Sequence, residues 1–196
     1  MPEPSQRLRA DCARCFALCC VGPALAASAD FAIDKPAGRA CPNLVGFGCG
    51  IHDRLRPSGF PGCAAYDCFG AGQQVAQVTF GGRDWRAYPE LAGQMFTALA
   101  VMRQLHELLW YLAEALRLAA AAPVHGQLRR AYRQTSALTR TGPDELIALD
   151  VAAHRNEVNP LLVRASRLAR DPAGPELAGS DLVGRNLRGA DLRGAS

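Results

Sequence analysis

Eight cysteines, Cys12, Cys15, Cys19, Cys20, Cys41, Cys49, Cys63 and Cys68, lie in the N-terminal part of this 196-residue chain, and none follows them. Cysteines used as small core hydrophobes would be scattered, so this clustering implies that thiol chemistry staples a segment with too little apolar material to hold itself. The spacing favours metal. Cys12 and Cys15 stand two residues apart, close enough to grip one ion, and Cys19-Cys20 adds sulfur to the same small volume. Adjacent cysteines seldom bridge each other. Four thiolates suffice for one tetrahedral zinc or one four-iron cluster, so eight can hold two such centres, or one centre with four structural cysteines beside it.

Other residues near the cysteines could take part. His52 is the best non-cysteine ligand candidate, three residues after Cys49. Eight thiolates already saturate two four-coordinate sites, so it is read as a surface or outer-shell histidine. Asp30, Asp34, Asp53 and Asp67 are read as turn and cap residues. Gly70-Ala71-Gly72 lacks the third glycine and the preceding strand of a dinucleotide fingerprint, and is expected to be a turn beside the metal.

A rival reading treats Arg7-Leu8-Arg9 and the run from Phe16 to Ala27 as a secretory leader cleaved near Ala26. That would leave four cysteines for two disulfides in an oxidising compartment. Asp11, Arg14 and the Gly22-Pro23 break count against it.

The pattern Cys12-x2-Cys15-x3-Cys19-Cys20, followed by Cys41-Pro42-x-Leu44-x4-Cys49-x-Ile51-His52, Arg56-Pro57 and Cys63-x2-Tyr66-x-Cys68, resembles the CxxCxxCC zinc- or iron-chelating domain of the YkgJ-type cysteine-cluster proteins. The resemblance spans roughly residues 10–70. It implies metal binding, as zinc or as iron–sulfur, since a relative of that family, flagellin lysine methylase, carries an iron–sulfur cluster. It implies no methyl transfer here, because no cofactor-binding site for that chemistry is recognisable.

The elements that must position these residues divide into three stretches. A cysteine-rich metal-binding module covers 1–88. An α-helical region covers 89–171. Glu90 to Ala122 lacks proline and carries Leu99, Met102, His106, Leu109, Ala113 and Leu116 at intervals of three and four, which predicts a long amphipathic helix. Its charges exclude a membrane span. A second helix is predicted over Val124 to Arg140, and a third after Thr141-Gly142-Pro143, with Asp144 as N-cap and a kink or break at Pro160. Asp150, His154 and Glu157 share one face of that helix and are read as exposed charge, not as a second metal site.

The third stretch, 172–196, divides into fives centred on Leu177, Leu182, Leu187 and Leu192, and resembles the pentapeptide-repeat family. The resemblance implies one coil of a right-handed quadrilateral β-helix with its leucines stacked inward. One coil has no neighbour to bury them, so the array reads as the start of a longer one.

The resulting expectation is a mixed α+β fold: metal module, helical region and one β-helix coil. It is a cytoplasmic metal-binding protein holding an iron–sulfur cluster or zinc through the eight cysteines, with a protein partner or a second copy of the chain meeting the repeat coil. The alternatives are a secreted disulfide-stapled interaction protein without metal, or an enzyme that uses an iron–sulfur cluster. No acid–base or nucleophilic constellation is recognisable, so no catalytic residue is named. A net charge of +4 spread along the chain announces no nucleic-acid face. Lys35 is the sole lysine among 22 basic residues, and that arginine bias carries no functional weight in this reading.

Overall fold

The structure is a computed structural model that describes residues 8–170, 174, 175, 177 and 179–192. Its centre is one long helix. In chain order the elements are a 3₁₀ turn at Cys12–Arg14, α1 (Leu18–Val21), the strands β1 (Leu44–Val45) and β2 (Gly48–Cys49), and α2 (Pro61–Ala65). Next come α3 (Ala71–Gln73), which widens directly into a π-helical segment at Gln74–Thr79, and α4 (Ala92–Arg117). A 3₁₀ connector (Ala119–Val124) then leads to α5 (His125–Leu138), α6 (Pro143–Ile147) and α7 (Val151–Ala169).

The apolar positions of α4 form more than the single stripe expected, because the helix is covered on two sides. Met95, Ala98, Leu99, Met102 and Leu105 pack with Leu18 of α1, with Ala71, Val75, Ala76 and Phe80 after the last cysteine, and with Leu146 and Val151. One helical turn further on, Leu108, Leu112 and Ala115 pack with Ala121, Val124, Leu128, Ala131, Val158 and Ala165. The first of these cores is therefore shared between the cysteine-rich segment and the helices. Each fully buried leucine contributes about 1.5–3 kcal/mol, which the irregular N-terminal segment gains only by resting on α4.

Local chemistry sets the helix ends. Asp150 caps α7 by accepting a hydrogen bond from Ala153 N–H at 2.9 Å. Pro160 lies inside α7 without ending it. Asp144 is not the expected cap: Gly142 holds that position, and Asp144 sits in the first turn of α6, where its carboxylate accepts from Gln94 Nε2. Thr135, fully buried on α5, donates its hydroxyl proton to Ala131 O, so its oxygen accepts from His154 Nε2–H at 2.9 Å. His154 therefore pins α7 to α5, where the sequence reading had it as exposed charge. Its neighbours on that face, Asp150 and Glu157, are exposed.

The mixed α+β expectation is corrected. Among the described residues the sheet is one antiparallel pair of two-residue strands, with Leu44 opposite Cys49 and Val45 opposite Gly48, and the fold is helical. No β-helix coil forms among the described residues. The described part of 172–196 has no strand; Val183 is 91 % exposed, and the repeat leucines Leu187 and Leu192 are 38 % and 45 % exposed, not stacked inward. The five-residue period survives only as a row of similar turns, in which Ser180, Arg185 and Ala190 N–H bond to Leu177, Leu182 and Leu187 O. Gly179, Gly184 and Gly189 supply the positive φ those turns require. The physical reason is that the backbone and leucines of one coil are paired and covered only when a second coil stacks on it, and the described residues supply one coil's length at most.

Among the described residues no helix is long and apolar enough to cross a membrane.

Candidate metal centre

All eight cysteines line one cavity of about 560 Å³, together with Phe31, Phe47, Leu55, Phe60 and Tyr66. All eight are free thiols. They arrive from five separate pieces of chain: the 3₁₀ turn, α1, the loop before β1 with β2, α2, and the turn before α3. Sequence spacing alone joined only the first four.

Two groups of four can be distinguished on the cavity wall. Cys12, Cys15, Cys19 and Cys68 also surround a small recess beneath the main cavity, floored by Gly72 and Leu99. Cys20, Cys41, Cys49 and Cys63 line the main cavity but not that recess. Cys63 feels the charge of Cys41, then of Cys19 and Cys49, and Cys41 N–H donates to Cys20 O at 3.0 Å. Adjacent Cys19 and Cys20 on α1 lie against each other and so link the two groups.

The first group is held from below. Gln73 of α3 accepts from Asp11 N–H at 3.1 Å and donates to Arg9 O at 2.6 Å, imitating a strand partner for the segment before Cys12. Gln77 donates to Arg14 O at 2.7 Å. Gly72 lets α3 approach so closely that an added Cβ would stand 2.8 Å from Cys15 Cβ. The expected turn at Gly70-Ala71-Gly72 is present, and it is a packing seat as well as a turn.

On the other side lies Lys35, buried at 4 % exposure. Its ammonium donates to four backbone carbonyls: Val21 O at 3.1 Å, Pro23 O at 2.5 Å, Pro36 O at 3.2 Å and Arg39 O at 2.9 Å. Burial pulls its pKa down, while the nearby Cys41 and Cys20 push it up. A compact point charge suits such a carbonyl cage better than a planar guanidinium. That is a physical reason for a lysine here in a chain that otherwise uses arginine, and its isolation in the sequence was the available signal.

Burial pushes Cys15 up to about 11. Burial also raises Cys12 and Cys63. Cys19 is raised by its hydrogen bond with Cys20, then by burial. A bound cation reverses this, since only the thiolate is a ligand. The donor set, eight soft sulfurs in a mostly apolar cavity, fits zinc or iron–sulfur and does not fit hard cations such as magnesium or calcium.

Among the described residues no three His, Cys, Asp or Glu side chains converge as the ligands of a single ion. The cysteines surround a volume, not a point. His52 stands exposed at the cavity rim. Asp34 accepts from Ala27 N–H and Asp67 from Phe69 N–H, so both serve turns as expected. The segment weighed as a leader is built into the fold, with Leu18 and Val21 at 0 % and 1 % exposure.

Fold and cavity together define a helical protein that carries an eight-thiol pocket on one side of its central helix. No protein-family profile matches the chain, and no solved structure matches it. It is similar to the uncharacterized protein YybG of Bacillus subtilis (strain 168), 51% identical over 164 residues, which cover 83% of this chain and 59% of that protein. The chain thus spans about three fifths of the length of this curated relative.

Proposed function

We propose that this protein binds iron–sulfur through its eight cysteines, in two four-thiolate centres: Cys12, Cys15, Cys19 and Cys68 in one, Cys20, Cys41, Cys49 and Cys63 in the other. The observation that carries the reading is that a fold assembled around α4 gathers all eight thiols onto the wall of one cavity. The resemblance of their spacing to the CxxCxxCC domain supports it. Zinc–sulfur bonds of about 2.3 Å would set tetrahedral sulfurs roughly 3.8 Å apart. Thiols spread around a volume suit the corners of a polynuclear cluster better than a single ion.

The chain's residues supply the remaining requirements. Leu55, Phe47 and Phe60 keep the cavity apolar, and the Lys35 ammonium stands beside Cys20 and Cys41, where thiolate charge would accumulate. When bound, an iron–sulfur centre supplies one-electron transfer. Free thiols in this number point to a reducing, cytoplasmic compartment.

The test is iron, zinc and acid-labile sulfide content, with the visible spectrum, of protein purified without oxygen. Iron and sulfide in near-equal amounts in a brown protein are expected. Colourless protein with zinc would replace iron–sulfur by a structural zinc module. Metal-free protein with its cysteines paired would overturn the reading in favour of disulfides.

A further inference from the structure

Three non-glycine residues with positive φ occur among the described residues, and all three lie in two short turns beside one group of cysteines: Phe16 at 50°, Ala17 at 54° and Phe69 at 49°. The turns match. In the first, Cys15 is followed by left-handed Phe16 and Ala17, and Leu18 N–H closes back on Cys15 O at 3.2 Å as α1 begins. In the second, Cys68 is followed by left-handed Phe69 and Gly70, and Ala71 N–H closes on Cys68 O at 2.8 Å as α3 begins. Both read Cys-Phe-small, and both lead a ligand cysteine into a helix.

Left-handed backbone at a bulky aromatic is strained, and such strain persists only where the surroundings over-determine it. Here each strained phenylalanine carbonyl receives a ring N–H from outside the turn. Trp85 Nε1 donates to Phe16 O at 2.8 Å. His106 Nδ1 lies 2.7 Å from Phe69 O, and because a carbonyl only accepts, the proton sits on Nδ1. Arg103, one turn earlier on α4, donates to Asp67 O at 3.0 Å, so Cys68 is bracketed by two donors from α4. The phenylalanine rings are seated too, Phe16 on Phe47 at 5.3 Å and Phe69 on Trp110 at 5.9 Å between centroids. Gly72 sets the second turn against Cys15. No such strain accompanies Cys41, Cys49 or Cys63.

Consecutive left-handed residues turn successive backbone N–H groups toward one side, a concave arrangement suited to anions and to cluster sulfur. We propose that Trp85 and His106 are positioning residues of the centre at Cys12, Cys15, Cys19 and Cys68: their ring N–H groups hold two matched strained turns that present Cys15 and Cys68 before metal arrives, whereas the other centre shares this clamp only through Cys20, next to Cys19 on α1, and has none at Cys41, Cys49 or Cys63. This assignment rests on the metal-binding reading above. It makes the first centre the more tightly held and sets its potential through the backbone N–H groups those turns present.

The experiment uses the full chain reconstituted with iron and sulfide under argon. It reads two quantities for each centre: the midpoint potential by paramagnetic resonance, and the rate of iron loss to a chelator. Cys12→Ser and Cys20→Ser identify the centres by each deleting one signal. Trp85→Phe and His106→Ala are expected to shift the potential of the Cys12 centre and to speed its iron loss about tenfold, the effect of one lost hydrogen bond, with the Cys20 centre unchanged in His106→Ala and less affected than the Cys12 centre in Trp85→Phe. His106→Gln keeps a donor and should restore both quantities. Phe69→Gly, which adopts the left-handed turn without strain, should rescue His106→Ala; a merely structural role for His106 would not be rescued this way.

Equal effects on both centres, no effect on either, or failure of the glycine rescue would each overturn the proposal. Because a Trp85→Phe chain that does not fold leaves the His106 series and its rescue intact, the decision does not hang on one variant. A wild-type chain that takes up no metal overturns the metal-binding reading itself, and this assignment with it.

Discussion

His106 is buried on α4, and burial lowers its pKa from 6.5, with the bond to Phe69 O acting the other way. Above that value both folded and unfolded chains hold a neutral imidazole. As pH falls below 6.5, the unfolded chain takes its proton first, so the folded state loses stability until the depressed folded pKa is reached. Urea midpoints measured from pH 7.5 to 5 should therefore fall more steeply in wild type than in His106→Gln. The thiols predict the opposite limb. Burial raises Cys12, Cys15 and Cys63 from 9.0, so the metal-free chain should lose stability above that pH as the unfolded thiols ionise. Loaded protein, whose thiolates are already ligands, should instead lose its metal as pH falls. Chelator-treated and loaded samples compared by thermal melts across pH 5–10 separate the two limbs.

Among the elements, α4 bears two faces at once, which is why its amphipathic pattern reads more narrowly than its burial. Leu105 and Leu112 are both fully buried, one in each core. Replacing either by alanine should cost about 2–5 kcal/mol, read as the shift in unfolding free energy. Only the Leu105 change should also loosen the cysteine segment, because that face meets α1 and α3. The glutamine that ends α3 acts more locally. Gln73→Ala removes two hydrogen bonds to the segment before Cys12, each worth about 0.5–1.5 kcal/mol. Limited proteolysis should then cut between residues 9 and 14 faster than in wild type, with α4 to α7 still protected.

In the whole molecule, the cysteine segment and the helices share a core, whereas the row of turns after 174 leaves Val183, Leu187 and Leu192 exposed. A chain ending at Arg170 should keep the wild-type melting temperature within about 2 °C, the scale at which loss of a packed element is read, and the same metal content. A marked fall in either would show that the repeat segment braces the helices. Removing residues 1–26 would delete four cysteines together with buried Leu18 and Val21. That chain should fail to fold around α4 at all, as measured by the loss of cooperative unfolding.

Much of this was legible in the residues themselves. The segregation of cysteine, the length of α4, the helices on either side of Thr141 and the turn at Gly70 follow from local propensities that operate within a few residues. The five-residue repeat was legible too, but only as turn chemistry. Glycine and Asp/Asn at fixed offsets specify each turn, while a β-helix coil needs a second coil that the described segment does not have. Tertiary structure alone decided which thiols line one recess, since Cys68 joins Cys12 only after α3 packs under Cys15. It alone made Lys35 an ammonium caged by carbonyls, and it alone set Trp85 and His106 against strained carbonyls far away in the chain. The physical reason is that caps, turns and helical periods are written in neighbouring residues, whereas a cavity wall and a clamped carbonyl exist only when distant segments are pressed together by a common core.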